Sequence, residues 1–287
     1  MPSFADRSVF PYIPVVTLTR DLPPAQVAFL AWAGLVLWVL ALASPTVGIV
    51  AGVALFLLGV PHGAVEAYEG RRHVPGLAYT ALYLAVGVGL FAWWMVAPLF
   101  VLSGFLALSA WHFARDEPRL RAVGPWVVLG SGLVFPAETL AVFDAVTGDV
   151  VPVSVGVFRA AAALSALALV VEAIRRDALP YAAVLIAIFA LLPPVAAVAL
   201  YFLGVHSLRE MGLAAEEAGG WGRLLRRYAP FAVPALLGGG GVIALAALGY
   251  LPLAVATGFA VAFAAPHMLP LAGVRPKSAK APARPAH

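Results

Sequence analysis

Gly59-Val60-Pro61-His62-Gly63-Ala64-Val65-Glu66 closes an apolar run that starts near Thr46. Its reading decides the fold. A helix needs about 20 apolar residues to cross the hydrocarbon core of a bilayer, and the run that ends here is of that length. Pro61 and His62 then interrupt it with a polar, ionisable group. A carboxylate four residues further on, Glu66, shares the histidine's helix face. Three other segments repeat the plan of an apolar run that ends on a histidine: Ser109-Ala110-Trp111-His112-Phe113, Tyr201-Phe202-Leu203-Gly204-Val205-His206-Ser207-Leu208-Arg209-Glu210, and Ala265-Pro266-His267-Met268. Ionisable side chains in lipid are costly, so each marks a functional site by default. Together they predict one metal held by His62, His112, His206 and His267 inside a membrane enzyme.

Composition agrees about the solvent. Of the 287 residues 63% are hydrophobic and only 11% charged, against roughly a quarter charged in a soluble protein. Short alternating polar and apolar units, the mark of a membrane β-barrel, are absent from the sequence. The expected fold is an all-α integral membrane protein, a bundle of about 8–10 transmembrane helices, some short or broken. There is no cysteine, which removes disulfides, thiolate metal sites and cysteine nucleophiles and leaves His, Asp and Glu as the strong ligands. The net charge of +4 is explained by the positive-inside rule and does not call for nucleic acid as a partner.

Along the chain, residues 1–24 form an N-terminal segment without signal-peptide character, 25–272 a polytopic helical membrane domain, and 273–287 a basic tail of disordered composition. Helices are expected at 25–44, 46–68, 76–96, 98–115, 123–136, 155–174, 179–192, 194–214, 228–247 and 250–272. The fifth hands over near Pro136 to an amphipathic piece from Ala137 to Ala145, and Pro193-Pro194 interrupts the path between the seventh and eighth. With ten segments, all of the 18 Lys and Arg except Arg159 fall on one side of the membrane. That side is cytoplasmic by the positive-inside rule, which puts both termini in the cytoplasm of a multi-pass protein of the inner (plasma) membrane. The four histidines then stand at similar depth, near the cytoplasmic ends of segments two, four, eight and ten. Scattered core histidines have no reason to agree in depth.

Other residues leave two roles open. Glu66 and Glu210 each follow a histidine by one helical turn; either can act at the site, as a ligand or as a carboxylate orienting an imidazole, and Glu210 can instead pair with neighbouring arginines. Asp116 and Glu117 read as interfacial charge, and His73 and His287 as solvated surface groups. Trp111, Phe113, Tyr201 and Phe202 flank the histidines and are candidates for binding an apolar substrate, although aromatics in membrane helices more often pack or anchor. The run Gly238 to Gly241 suits close helix packing or, alternatively, room for a bulky ligand.

The order and spacing of these motifs are similar to those of the Brp/Blh family of membrane β-carotene 15,15′-dioxygenases. The resemblance runs from about residue 50 to 270 and rests on Pro61-His62-Gly63-Ala64, Ser109-Ala110-Trp111-His112-Phe113, Tyr201-Phe202 with His206-Ser207-Leu208-Arg209, Pro266-His267-Met268 and Phe135-Pro136-Ala137-Glu138. It implies an Fe(II) enzyme that cleaves the central double bond of β-carotene with O₂ to give two retinal molecules, with a retinal-binding rhodopsin as the expected acceptor of the product. It maps the family's essential histidines onto His62, His112 and His206. It also exposes departures: Glu210 where the family has a further histidine, Glu66 where it tends to have Asp, and Ala114 where it tends to have Gly. Either Glu210 replaces an imidazole, or His267 completes a four-histidine set, or the activity has shifted. The competing readings are a di-iron membrane hydroxylase, which needs more ligands than four histidines supply, an oxygenase acting on another carotenoid, and a non-enzymatic carotenoid or retinal carrier or transporter.

Overall fold

The computed structural model describes residues 24–63, 76–117 and 120–269. Among the described residues there is no strand, and the chain is an all-α membrane protein. In order, α1 is Pro24–Ala43, α2 Pro45–Gly59, α3 Gly76–Trp94, α4 Pro98–Asp116, α5 Val123–Leu129, α6 Ser131–Val134, α7 Pro136–Thr147, α8 Val155–Arg175, α9 Leu179–Leu191, α10 Pro194–Tyr201, a π-helical segment Phe202–Ser207, α11 Leu208–Ala218, α12 Trp221–Ala247 and α13 Leu253–Met268. Four stretches, Ala25–Ala43, Leu77–Trp94, Val155–Arg175 and Trp221–Ala247, are long and apolar enough to cross a membrane, and Val47–Gly63, Leu179–Leu191 and Leu253–Met268 are shorter apolar helices.

Proline and glycine set the boundaries. Pro45, Pro98, Pro136 and Pro194 open their helices, where the missing N–H costs nothing because it would have no intrahelical partner. Gly148 and Gly219 close α7 and α11 in the left-handed region, with φ of 76° and 78°, a conformation that glycine adopts without a Cβ clash. Pro230 and Pro234 sit inside α12 without ending it.

Four helix expectations change. The segment at 123–136 is two short pieces, α5 and α6, followed at Pro136 by α7, the handover that the amphipathic stretch suggested. The segment at 194–214 is one path with a π-helical insert at its centre. The segment at 228–247 begins seven residues earlier, at Trp221, because the basic turn containing Arg223, Arg226 and Arg227 continues the helix beyond its apolar part. The last helix is shorter than 250–272, running from Leu253 to Met268. Beyond Gly63 the second segment lies outside the described residues, as do Glu66, His73, the N-terminal segment to residue 23 and the tail from residue 270.

The main core gathers Trp126 of α5, Leu169 of α8, Leu185 and Phe189 of α9 and Leu200 of α10, with Leu30 and Leu37 of α1 against them. The Trp126 indole N–H donates to the Leu185 carbonyl at 3.2 Å, satisfying a buried donor. α4 lies directly on α5. Gly124 makes this approach possible: a Cβ there would stand on the Ala110 carbonyl, a backbone atom that cannot swing aside. α10 packs on α2, and α13 on α3 and α4. These contacts carry the ends of α2, α4, α10 and α13 to one corner of the bundle.

Candidate metal centre

His62 lies just past α2, in the single turn formed by residues 61–63. His112 stands one turn before the end of α4, His206 inside the π-helical segment, and His267 next to last in α13. The structure brings the rings together. Centroid separations are 4.9 Å for His62 and His206, 5.2 Å for His112 and His206, 5.4 Å for His62 and His267 and 5.7 Å for His112 and His267. His62, His112 and His206 are buried, and each offers a ring nitrogen within 4.8 Å of the other two. His267 borders this set from α13 and is half-buried; its ring lies against Gly63, where a Cβ would meet it at 3.6 Å.

Three buried Nε2 atoms, those of His62, His112 and His206, make no hydrogen bond. A buried polar atom left unpaired costs about 1–3 kcal/mol, so three of them facing one spot need an explanation. These three histidines could hold a metal ion, which would supply one, since neutral imidazole is a ligand for several first-row metals. The second nitrogen of His62 fits the same role. Its Nδ1 lies 2.7 Å from the Gly59 carbonyl, which only accepts, so Nδ1 carries the proton and Nε2 presents its lone pair inward. An orienting bond of this kind is the usual partner of a metal-bound histidine. The Ser207 hydroxyl stands 3.3 Å from the same Nδ1.

His112 is arranged differently. Arg115, which only donates, has Nη2 3.1 Å from His112 Nδ1, while Asp116 Oδ2 lies 3.3 Å from Nε2, out of line for a hydrogen bond. To present Nε2 as a ligand, the neutral ring must carry its proton on Nδ1, so the Arg115 guanidinium must turn away. It already has two other places to rest: Asp116 Oδ1, 2.9 Å from its Nε, and the face of Trp111, 4.9 Å from its central carbon.

The π-helical segment places His206. All six of its residues are buried, and π-turns in helices often mark functional sites. Two features hold it. Gln26 of α1 donates from Nε2 to the Gly204 carbonyl at 2.6 Å. Gly204 also lets α1 come close, because a Cβ there would lie 2.5 Å from Leu30. On the other side Phe202 stacks on Phe56, with centroids 4.4 Å apart. Its ring occupies the space left by Gly59, where a Cβ would come within 2.6 Å of it.

The aromatic candidates separate. Phe202 lies edge-on to His62 at 4.9 Å. Phe113 lies edge-on to His206 at 4.9 Å and to Tyr201 at 5.4 Å. Phe202 and Phe113 wall the cluster with carbon, and Tyr201 backs Phe113. Trp111, one residue from His112, points outward and is exposed. Gly238, Gly240 and Gly241 have nothing within 4 Å of where a Cβ would stand, and Gly239 meets only Leu57, so the glycine run is not a close-packing seam among the described residues.

Two acidic residues read as interfacial charge prove to be internal. Glu117 is buried and accepts from Arg209 Nη1 at 2.6 Å and from the Tyr181 hydroxyl at 3.0 Å; Arg209 also donates to the Asp116 backbone carbonyl. This joint ties the end of α4, which carries His112, to the start of α11, just after His206. Glu210 stands beside it, with Oε1 3.4 Å from Arg209 Nη2, the arginine pairing that its sequence position had left open. The clue to Asp116 was available in the sequence: it follows His112 by four residues, the spacing that singled out Glu66 and Glu210.

Among known proteins, the family model described as "Beta-carotene 15,15'-dioxygenase" matches residues 53–271, well over half of the chain. No curated protein and no solved structure matches it.

Proposed function

The chain belongs to the beta-carotene 15,15'-dioxygenase family, and from that premise we propose that it is a membrane-embedded, iron(II)-dependent enzyme that cleaves β-carotene at its central double bond with O₂. In the balanced reaction one C=C bond and the O–O bond break, two C=O bonds form, and both oxygen atoms end in the two retinal molecules; no further reductant is required. The observation that carries the reading is the trio of buried histidines His62, His112 and His206, each with an unpaired Nε2 and each offering a ring nitrogen within 4.8 Å of the other two. His62, His112 and His206 would hold the ion, with His267 beside them. Iron(II) on neutral imidazoles would supply open positions and electrons for O₂ chemistry.

The protein's own part is to prepare the place. The Gly59 carbonyl fixes the tautomer and the plane of His62. Phe113, Tyr201 and Phe202 keep water from the cluster and offer carbon surface to a polyene. Glu117 and Arg209 hold two histidine-bearing elements in register. Asp116 sets a carboxylate oxygen 3.3 Å from His112 Nε2, where its negative charge would help balance that of a bound ion. Glu210 acts at one remove, through Arg209, and Glu66 is assigned to the site by its one-turn spacing from His62. Specificity for one bond then follows from how an apolar substrate, entering from lipid, is positioned against the histidines. The distribution of Lys and Arg supports a multi-pass protein of the inner membrane with both termini cytoplasmic, and a retinal-binding rhodopsin is the partner suited to accept the product.

The test is co-expression in bacteria engineered to make β-carotene, with extracts separated by chromatography. Loss of colour with retinal as the aldehyde is the expected result. A shorter apocarotenal would keep the oxygenase and move the cut; coloured cells containing folded, iron-loaded protein and no aldehyde would overturn the proposal.

A further inference from the structure

A half-open pocket of about 210 Å³ lies between α3, α4 and α13, and every residue lining it is apolar or glycine. Trp93 is the only one whose side chain carries a polar atom. The cavity follows the same face of α4 as the metal centre: Val101, Gly104 and Leu108 line it, and His112 is the next residue along that face. Gly104 precedes His112 by eight residues, about 12 Å along the axis. On α13 the wall is Val261 and Ala265, the latter two residues before His267.

Gly104 is the informative residue. Gly87 on α3 and Gly258 on α13 are required by a neighbour, the Ala262 carbonyl and the Trp94 ring. A Cβ at Gly104 would meet nothing within 4 Å. Gly104 is exposed and lines the pocket, so the side chain it lacks leaves the open side of the pocket wider. The pocket is half-open, with Trp93, Phe100 and Gly104 exposed, and its volume of about 210 Å³ gives room to one six-membered ring with substituents while the rest of a polyene leaves through the open side.

Resting on the carotenoid-cleavage reading above, we propose that this cavity holds one terminal hydrocarbon ring of the substrate, so that the chain running from it along α4 reaches the histidines. The cavity is then a ruler: seating the ring sets which double bond lies at the metal centre. Its lining also disfavours a hydroxylated ring, whose O–H would lose its water and find only the Trp93 indole as a partner.

The test uses the full-length protein in lipid nanodiscs and needs no turnover. Binding is titrated as quenching of tryptophan fluorescence by β-carotene, which has rings, and by an acyclic carotene of the same carbon number. In Gly104→Phe the ring-bearing ligand should weaken at least about tenfold more than the acyclic one, the scale on which a filled hydrophobic pocket discriminates; Trp93→Phe should remove part of the quenching. Iron content and a single elution peak check that the variant is folded, and Gly104→Leu serves if the larger ring disturbs α4. Equal weakening of both ligands, or of neither, would overturn the ring site and mean that a lipid chain or nothing sits there. That failure is separate from failure of the proposed reaction, which is read on wild-type protein as loss of retinal.

Discussion

Two neighbouring stretches of similar apolar content take opposite positions. The path from Pro194 through Ser207 is buried almost throughout: six of the eight residues of α10 and all six of the π-helical segment lie inside. α12, with 27 residues, buries only Leu224 and Tyr228, and none of its apolar window is inside the protein. Lipid and protein interior are equally apolar, so hydrophobicity alone does not send a helix to one or the other. What distinguishes the first path is that it carries groups which need partners: a histidine, a serine and displaced backbone carbonyls. The second carries no polar side chain in its apolar part. The polar minority of each helix selects its place.

The contrast can be broken most sharply at the histidines. His206→Ala should lower iron retention and retinal formation by about 100-fold or more, beyond the 10- to 100-fold loss usual when only an orienting partner is removed; His62→Ala and His112→Ala should match it. Leu237→Ala on exposed α12 should leave both untouched and shift stability by no more than about 0.5 kcal/mol. Metal analysis and product chromatography on the same preparations read both.

Next in size is the joint between α4 and α11. Arg209→Ala strands the buried Glu117 carboxylate, at a cost of about 3–5 kcal/mol, seen as a lowered thermal midpoint in detergent. Arg209→Ala combined with Glu117→Gln should recover part of that loss, because the orphaned charge is gone. Recovery of nothing would mean that the guanidinium matters mainly through the Asp116 carbonyl.

Glycine positions sharpen the same comparison at smaller scale. Gly124→Ala forces a methyl onto the Ala110 backbone and should cost about 1–3 kcal/mol. Gly240→Ala on α12 meets open space and should be neutral or stabilising by up to about 1 kcal/mol, since alanine is the better helix former. If both behaved alike, the packing difference between the two regions would be wrong. The smallest effect expected is at Arg115. Arg115→Gln frees His112 Nδ1 to carry the ring proton, so iron affinity should hold or rise, measured by competition with a chelator; a large fall would mean that the guanidinium positions His112 rather than competing for it.

Much of this protein was legible before any coordinates. The apolar runs specified helices in lipid, because a membrane leaves backbone groups no partners except one another. The histidines ending four of those runs marked a candidate site, because lipid makes such residues costly, and the structure gathers three of them, His62, His112 and His206, as a possible ligand set. The family's motifs supplied a chemistry, and the family match agrees with it. The single-chain pattern failed where rotation and depth of a helix matter. It treated Asp116 and Glu117 as surface charge, although one lies beside His112 and the other is buried against Arg209. It placed Trp111 with the site because of its neighbour, although adjacent residues on a helix point about 100° apart. It gave no sign of the π-helical turn that carries His206.

The sequence by itself determined the solvent, the helical class and the set of histidines, since each follows from the free energy of moving a residue type between water and lipid. Only the tertiary structure decided which three imidazoles converge with unpaired nitrogens, which apolar helix is core and which faces lipid, and where a small cavity opens along α4. Those depend on how helices turn against one another, and that is set by close contacts between residues far apart in the chain, Gly124 on Ala110 and Gly204 on Leu30, which no local pattern records.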